Sequence, residues 1–363
     1  NYEVYIYTPF VDRDEELFQV NEKIVLIDAK KYQVPDNFFT KVVKKINRNT
    51  KVFMPFPRFI ENVYFTEREV TGLCSYVQEK GVDVLVGASP MYSILAGIVT
   101  SKLPQVKAVA WMHSTYDSYF LYKDHPTYSM QKLFRMYCTY FEKIFVLTEA
   151  DKKIYSSHLK EWRDKIVVFN NPVTIEISDK SLLKPQRLLF VGRINTDHKG
   201  CDLLFDIAKI LKNKGKKFTL DVVGEGEFLV EFKELVEKND MKANVLFHGI
   251  SNDVARYYKQ ASVLLVTSRY EGFGLVITEA MSFGIPVVAF HAQGPDEIIT
   301  DQESGFLSPQ YDCEQFANRL VELLDNPDLL SDMSNNALKR SELFSLDMAV
   351  EKFKGYMEGC FKQ

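Results

Sequence analysis

Glu271 and Glu279 stand eight positions apart and enclose Gly272-Phe273-Gly274-Leu275-Val276. A carboxylate accepts paired hydroxyl donors, so this spacing suits the hydroxyls of a sugar or ribose. The segment follows the apolar run Val263–Thr267, read as a strand, and opens a helix predicted over Val276–Phe283. Its two glycines let the backbone approach a ligand closely. The N–H groups of Gly274, Leu275 and Val276 would lie at the helix start, a ready place for a phosphate. The same spacing also fits an ordinary strand–loop–helix with a buried cap and a surface acid.

A second segment, Gly192-Arg193-Ile194-Asn195-Thr196-Asp197-His198-Lys199-Gly200, likewise runs from a strand into a helix. Arg193 and Lys199 there suit a diphosphate whose charge grows as it leaves. The Lys-Gly order is the reverse of a P-loop, and the plain alternative is a solvated basic loop. In Gly224-Glu225-Gly226-Glu227-Phe228-Leu229 the third glycine of a dinucleotide fingerprint is replaced by Leu229, which argues against NAD. His113 ends a strand in Trp111-Met112-His113 and is either a structural hydrogen-bonder or a ligand contact. Asp12-Arg13-Asp14 sits in an acidic loop with Glu15 and Glu16 and reads as a chance match to a metal motif. No other cluster has metal-ligand spacing, so no metal or other cofactor is expected.

Short apolar runs alternate with helical stretches throughout, the mark of a parallel α/β chain. Strands are predicted at Tyr2–Thr8, Lys23–Asp28, Val82–Gly87, Val106–Met112, Lys143–Thr148 and Lys165–Phe169. After the polar stretch Ile175–Pro185 they resume at Arg187–Val191, Thr219–Val223, Asn244–His248, Val263–Thr267 and Pro286–Phe290. The reading is two Rossmann-like domains, residues 1–175 and 185–345, facing across a cleft. A final helix, 346–363, packs back toward the first. With 363 residues the chain has ample core for two domains. A net charge of −4 gives no bulk drive toward nucleic acid. Five separated cysteines without a CxxC pair read as buried free thiols. No apolar run approaches the ~20 residues of a membrane span, and no signal peptide is evident, so a cytoplasmic location is expected.

Together, Gly192, Arg193, Lys199, the Gly224–Gly226 turn, His248-Gly249-Ile250 and Glu271 to Glu279 resemble glycosyltransferase family 4, the retaining transferases of the GT-B fold. The likeness is densest from Arg187 to Leu307. It implies a hexosyltransferase that uses a nucleotide diphosphate sugar, by the family's habit a UDP-sugar. Gly192, Arg193 and Lys199 would hold the diphosphate with the backbone at Gly274, Leu275 and Val276. Glu279 would take the ribose, Glu271 and His113 the donor sugar, the turn at Gly224 would flank the nucleotide, and backbone near Ile250 would meet the base. Gly294-Pro295-Asp296-Glu297-Ile298-Ile299 resembles a bacterial subgroup that builds surface glycans, so the acceptor would be a glycan or lipid-linked glycan. In the family a first strand with a glycine-rich loop precedes a run such as Tyr2–Thr8, so the first domain is expected to lack that strand. The alternative is a non-catalytic subunit that binds a nucleotide sugar or a partner transferase.

In Asn37–Arg48, Phe38, Phe39, Val42, Val43 and Ile46 fall along one helical face and Lys41, Lys44, Lys45 and Arg48 along the other. Such a helix can lie on the anionic inner face of a membrane. Alternatively, its apolar stripe packs on the domain core.

Overall fold

The computed structural model describes residues 2–9, 23–50, 52–123, 125–177 and 179–361; Asp12-Arg13-Asp14 falls outside them. Contacts divide the chain into two units. One holds residues 1–146 and 153–167, the other 147–152 and 168–363.

In the first unit, β1 (Val4–Thr8) and β2 (Ile24–Asp28) form a parallel pair. Val4, Ile6, Val25 and Leu26 are exposed there, and Ile27 is buried. A separate sheet holds β3 (Val84–Ala88), β4 (Lys107–Trp111), β5 (Phe141–Val146) and β6 (Ile166–Val168) in that order. The helix Pro90–Lys102 between β3 and β4 buries Pro90 and every residue from Ser93 to Thr100. Because it is apolar on all sides, it shows no 3.6-residue periodicity and is hard to see in sequence.

The second unit contains β7 (Arg187–Val191), β8 (Thr219–Val223), β9 (Val245–Gly249), β10 (Val263–Val266), β11 (Val287–Phe290) and β12 (Gly305–Ser308). All pairings are parallel, in the order β9-β8-β7-β10-β11-β12. Alternation along the strands feeds two cores. Leu188, Phe190, Leu220, Val222, Val263, Leu265, Val288 and Phe290 enter one. Leu189, Val223, Leu264, Val266, Val287 and Ala289 enter the other. This is the doubly wound order whose direction of winding reverses between β7 and β10.

The boundary between the predicted domains needs correction. The polar stretch left between them is tied to the second unit: Ser181 N donates to Phe283 O, Leu182 N to Lys259 O, and Ser181 Oγ to Ala261 O. The exchange between units also comes earlier than residue 175. Leu147 and Val173 belong to a second-unit core, and Val173 N bonds Phe344 O. Leu346–Phe361 groups with the second unit by contacts, its Phe353 and Tyr356 rings lying against Phe169, a residue within the predicted span 1–175. Cys74, Cys138, Cys201 and Cys313 are free thiols, and burial pushes Cys201 up to about 12.

Gly224 has φ +139°, and a Cβ there would lie 1.9 Å from Gly192 O. Gly215 has φ +69° with open space around it. Gly224→Ala should therefore cost at least about 2 kcal/mol and Gly215→Ala about 1 kcal/mol. Urea unfolding of both variants checks this, and equal costs would contradict the close approach.

Candidate active site

The loops that leave β7 and β10 meet at the sheet's switch point. Gly200 (φ +61°) brings its backbone so near Thr267 that a Cβ would lie 2.2 Å from the Thr267 oxygen. Thr267 Oγ1 donates to Lys199 O at 2.8 Å, and Arg269 N to His198 O at 2.8 Å. Arg269 spans the same join with a bidentate pair to Asp202 at 2.7 Å and a bond to Thr196 O at 2.5 Å. Asn195, nearly fully buried, accepts from Lys199 N at 2.8 Å.

These contacts place Lys199 Nζ 2.6 Å from Glu271 Oε2. Ser268 Oγ donates to the same carboxylate oxygen at 3.0 Å. The two charged groups that the sequence put on separate loops are thus one ion pair, mostly shielded from water. Next to it, the helix Leu275–Ser282 starts at Gly274 (φ +94°) with no side-chain cap. Leu275 is exposed at its first turn. An uncapped start leaves N–H donors and the positive end of the helix dipole available beside the pair.

Glu279, inside that helix, does not join the pair. Tyr258, fully buried, donates its Oη to Glu279 Oε2 at 2.9 Å. Burial holds the Glu279 carboxyl above its usual range, and the Tyr258 hydroxyl pulls part of the way back. Arg193 is 70% exposed along its side chain and pairs with Glu227 at 3.3 Å. It hangs at the loop surface, whereas Lys199 is held.

The glycines after β8 close the floor. Gly192 N donates to Val223 O at 3.0 Å, Gly224 N to Gly249 O at 2.8 Å, and Ile194 N to Glu225 O at 2.8 Å. A Cβ on Gly226 would lie 2.2 Å from Ile194 O. The Gly-x-Gly of this turn therefore serves backbone packing against the Gly192–Ile194 loop. Ile250 follows β9 and is 71% exposed. His248 turns away, its Nε2 2.7 Å from Asp221 Oδ1, while Arg187 grips the same buried acid at 2.6 and 2.9 Å.

His113 lies in the first unit, just past β4. It is exposed, its ring stacks on Trp111 at 5.1 Å, and its backbone N donates to Tyr119 Oη at 3.3 Å. Sequence reasoning missed Ser89. It holds φ +94° at the end of β3 and donates its N–H to Trp111 O at 2.9 Å. A non-glycine residue in that region stores strain of about 1–3 kcal/mol and often marks a functional turn. Tyr258, Ser268 and Asn195 were missed too, because nothing in their local spacing reveals a partner far along the chain.

A carboxyl whose pKa is raised by folding binds its proton more tightly when folded. Its protonated form favours the folded state, and stability falls as pH rises from about 4.5 through the raised value. Glu279→Gln removes that loss and keeps an acceptor for Tyr258. Its melting temperature relative to wild type should therefore be higher at pH 7 than at pH 4, as thermal unfolding at both values would show. A gap independent of pH would mean Glu279 titrates normally.

Residues 174–340 match the family of glycosyl transferases group 1. An uncharacterized glycosyltransferase of Haemophilus influenzae is 29% identical over 88% of this chain and 87% of its own length. The amylovoran biosynthesis glycosyltransferase AmsD of Erwinia amylovora is 30% identical over 58% of this chain and 61% of its own. Among solved structures, Anabaena HepE in complex with UDP superposes with a TM-score of 0.68 at 18% identity, covering 80% of this chain and 82% of that one. At that identity the likeness is one of fold, the α/β GT-B fold. Residues 174–340 thus resemble the glycosyl transferases group 1, and the enzyme class of the chain is glycosyltransferase.

Proposed function

We propose that this enzyme moves a hexosyl unit from a nucleotide diphosphate sugar, a UDP-sugar by preference, to a hydroxyl of a glycan or lipid-linked glycan, with retention at the anomeric carbon. The observation that carries the reading is the Lys199–Glu271 pair at the switch point, beside the uncapped start of Leu275–Ser282. UDP is favoured because a structural neighbour of the same fold was solved with UDP. A surface polysaccharide is favoured because AmsD acts in amylovoran synthesis.

In this reading the donor diphosphate takes Lys199 from Glu271 and lies against the N–H groups of Leu275 and Val276. Arg193, exposed at the loop surface, leaves Glu227 and closes over the diphosphate with Gly192 beneath. Glu279 accepts the ribose hydroxyls, the turn at Gly224 flanks the nucleotide, and backbone at Ile250 borders the base. Glu271, released from Lys199, accepts hydroxyls of the donor sugar, to which His113 is also assigned. The bond from the anomeric carbon to the β-phosphate oxygen breaks and the acceptor oxygen bonds the same carbon from the same face. The acceptor's proton passes to the departing phosphate. Negative charge grows on the diphosphate in the transition state, where a fixed cation and a helix start stabilise it most. With that charge met by Lys199 and backbone, the reaction should run without a divalent metal.

Lys199→Ala should lower kcat at least ~100-fold while changing donor affinity less than ~10-fold. Turnover of a UDP-hexose panel with and without EDTA, together with NMR of the product anomer, tests this. Wild-type turnover in Lys199→Ala would sink the site assignment. An inverted anomer would sink retention, and loss of activity in EDTA the metal-free step. UDP binding without turnover on any acceptor would favour a non-catalytic subunit.

A further inference from the structure

From Asn37 to Ile60 the sequence carries six Lys or Arg residues and no Asp or Glu, within a chain of net charge −4. Asn37 starts the helix Phe38–Thr50, its Oδ1 accepting from Thr40 N at 2.9 Å. At ~100° per residue, Phe38, Val42, Ile46 and Phe39 share one sector. Val43 and Asn47 come next on one side, and Lys41 and Lys45 on the other. Among the described side chains of this helix only the Val43–Asn47 flank is buried, with Asn47 Nδ2 donating to Ser129 Oγ at 2.5 Å. The apolar sector faces outward: Phe38 is 85% exposed and Phe39 65%, with Val42 and Ile46 exposed behind them. Lys41 and Lys45 are exposed at its border, and Lys44 pairs with Asp36. Val52, Phe56 and Phe59 continue the exposed apolar surface into the following helix, Pro57–Tyr64, which packs against the first. The expectation that the stripe packs on the core thus fails for all but Val43.

We infer that this face docks on an anionic lipid bilayer, with Phe38 and Phe39 inserted below the headgroups and Lys41 and Lys45 at the phosphates. Exposed aromatics beside a basic stripe free of acids are the physical requirements of an interfacial helix. A lipid surface supplies both the apolar depth and the negative charge. A second copy of the chain would bring like charges face to face. No helix among the described residues is long and apolar enough to cross a membrane, so attachment here is in the plane of the surface. The inference stands apart from the glycosyl transfer reading, since neither donor nor acceptor enters it.

Co-sedimentation of the full chain with phosphatidylcholine vesicles, with and without about one-third phosphatidylglycerol, tests it. Wild type should bind the anionic vesicles and release them as salt screens the charge. Lys41→Glu/Lys45→Glu and Phe38→Ser/Phe39→Ser should each lower partitioning ~10-fold or more, with unchanged circular dichroism and unchanged thermal shift by UDP. Absence of binding by wild type, or equal binding by both variants, overturns the inference. Concentration-dependent dimers abolished by Phe38→Ser/Phe39→Ser, without vesicle binding, would also overturn it and make a second copy the occupant.

Discussion

A parallel sheet that winds in both directions must reverse somewhere, and here it does so between β7 and β10, where the helices that follow the two strands pack on opposite faces and leave a crevice above the strand ends. The pairing of Lys199 with Glu271 bridges that opening. Most of the surrounding structure serves to hold the bridge at its place. Asn195 fixes the Lys199 backbone, Ser268 fixes the carboxylate, and Arg269 with Asp202 binds the two loops together. The centre of the site is consequently close to neutral. On the proposed reading, an incoming diphosphate would compete with an internal carboxylate for the same ammonium group, and would free that carboxylate for a neutral partner such as a sugar hydroxyl.

The two glutamates show how environment divides one residue type into two tasks. Glu271 meets a cation and a hydroxyl near the loop surface, whereas Glu279 sits in a burial that disfavours its charge and is eased by Tyr258. A group that is uncomfortable when charged and alone gains most from hydroxyl donors that reach it. Burial of Glu279 therefore works in favour of a ligand with adjacent hydroxyls.

Strands whose side chains alternate between two apolar cores were legible from sequence: Arg187–Val191 and Thr219–Val223 have the predicted bounds. So was the final helix, Leu346–Phe361. The helix Pro90–Lys102 was not, since a fully buried helix loses its polar face and with it the period. The helix Pro327–Ser341 was overlooked although Asn326 caps it and proline opens it, a local signal that could have been used. In the candidate site, Lys199 and Glu271 stood out because they sit in short loops after strands, and Glu279 because it follows Glu271 by eight positions in the helix that comes next. Their partners Tyr258, Ser268 and Asn195 did not, because a hydrogen bond across loops leaves no trace in local spacing. The basic helix shows a third situation. Its amphipathic pattern was plain, but the same pattern serves burial or exposure, and only three-dimensional packing decides between them.

The floor of the site is main chain laid on main chain. Glycines at 200, 224, 226 and 294 each bring the backbone to a neighbouring carbonyl at a separation no side chain would permit. Peptide groups have the same dimensions whatever residues flank them, so this floor is indifferent to the side chains above it. Arg193, Ile250, Tyr270 and Leu275 project outward from it and are largely exposed. Such an arrangement separates what must stay constant from what can vary. Exchange of those outward residues changes the surface offered to a ligand at little cost to the fold, so on the proposed reading a single scaffold could be diversified across many donors in the course of evolution.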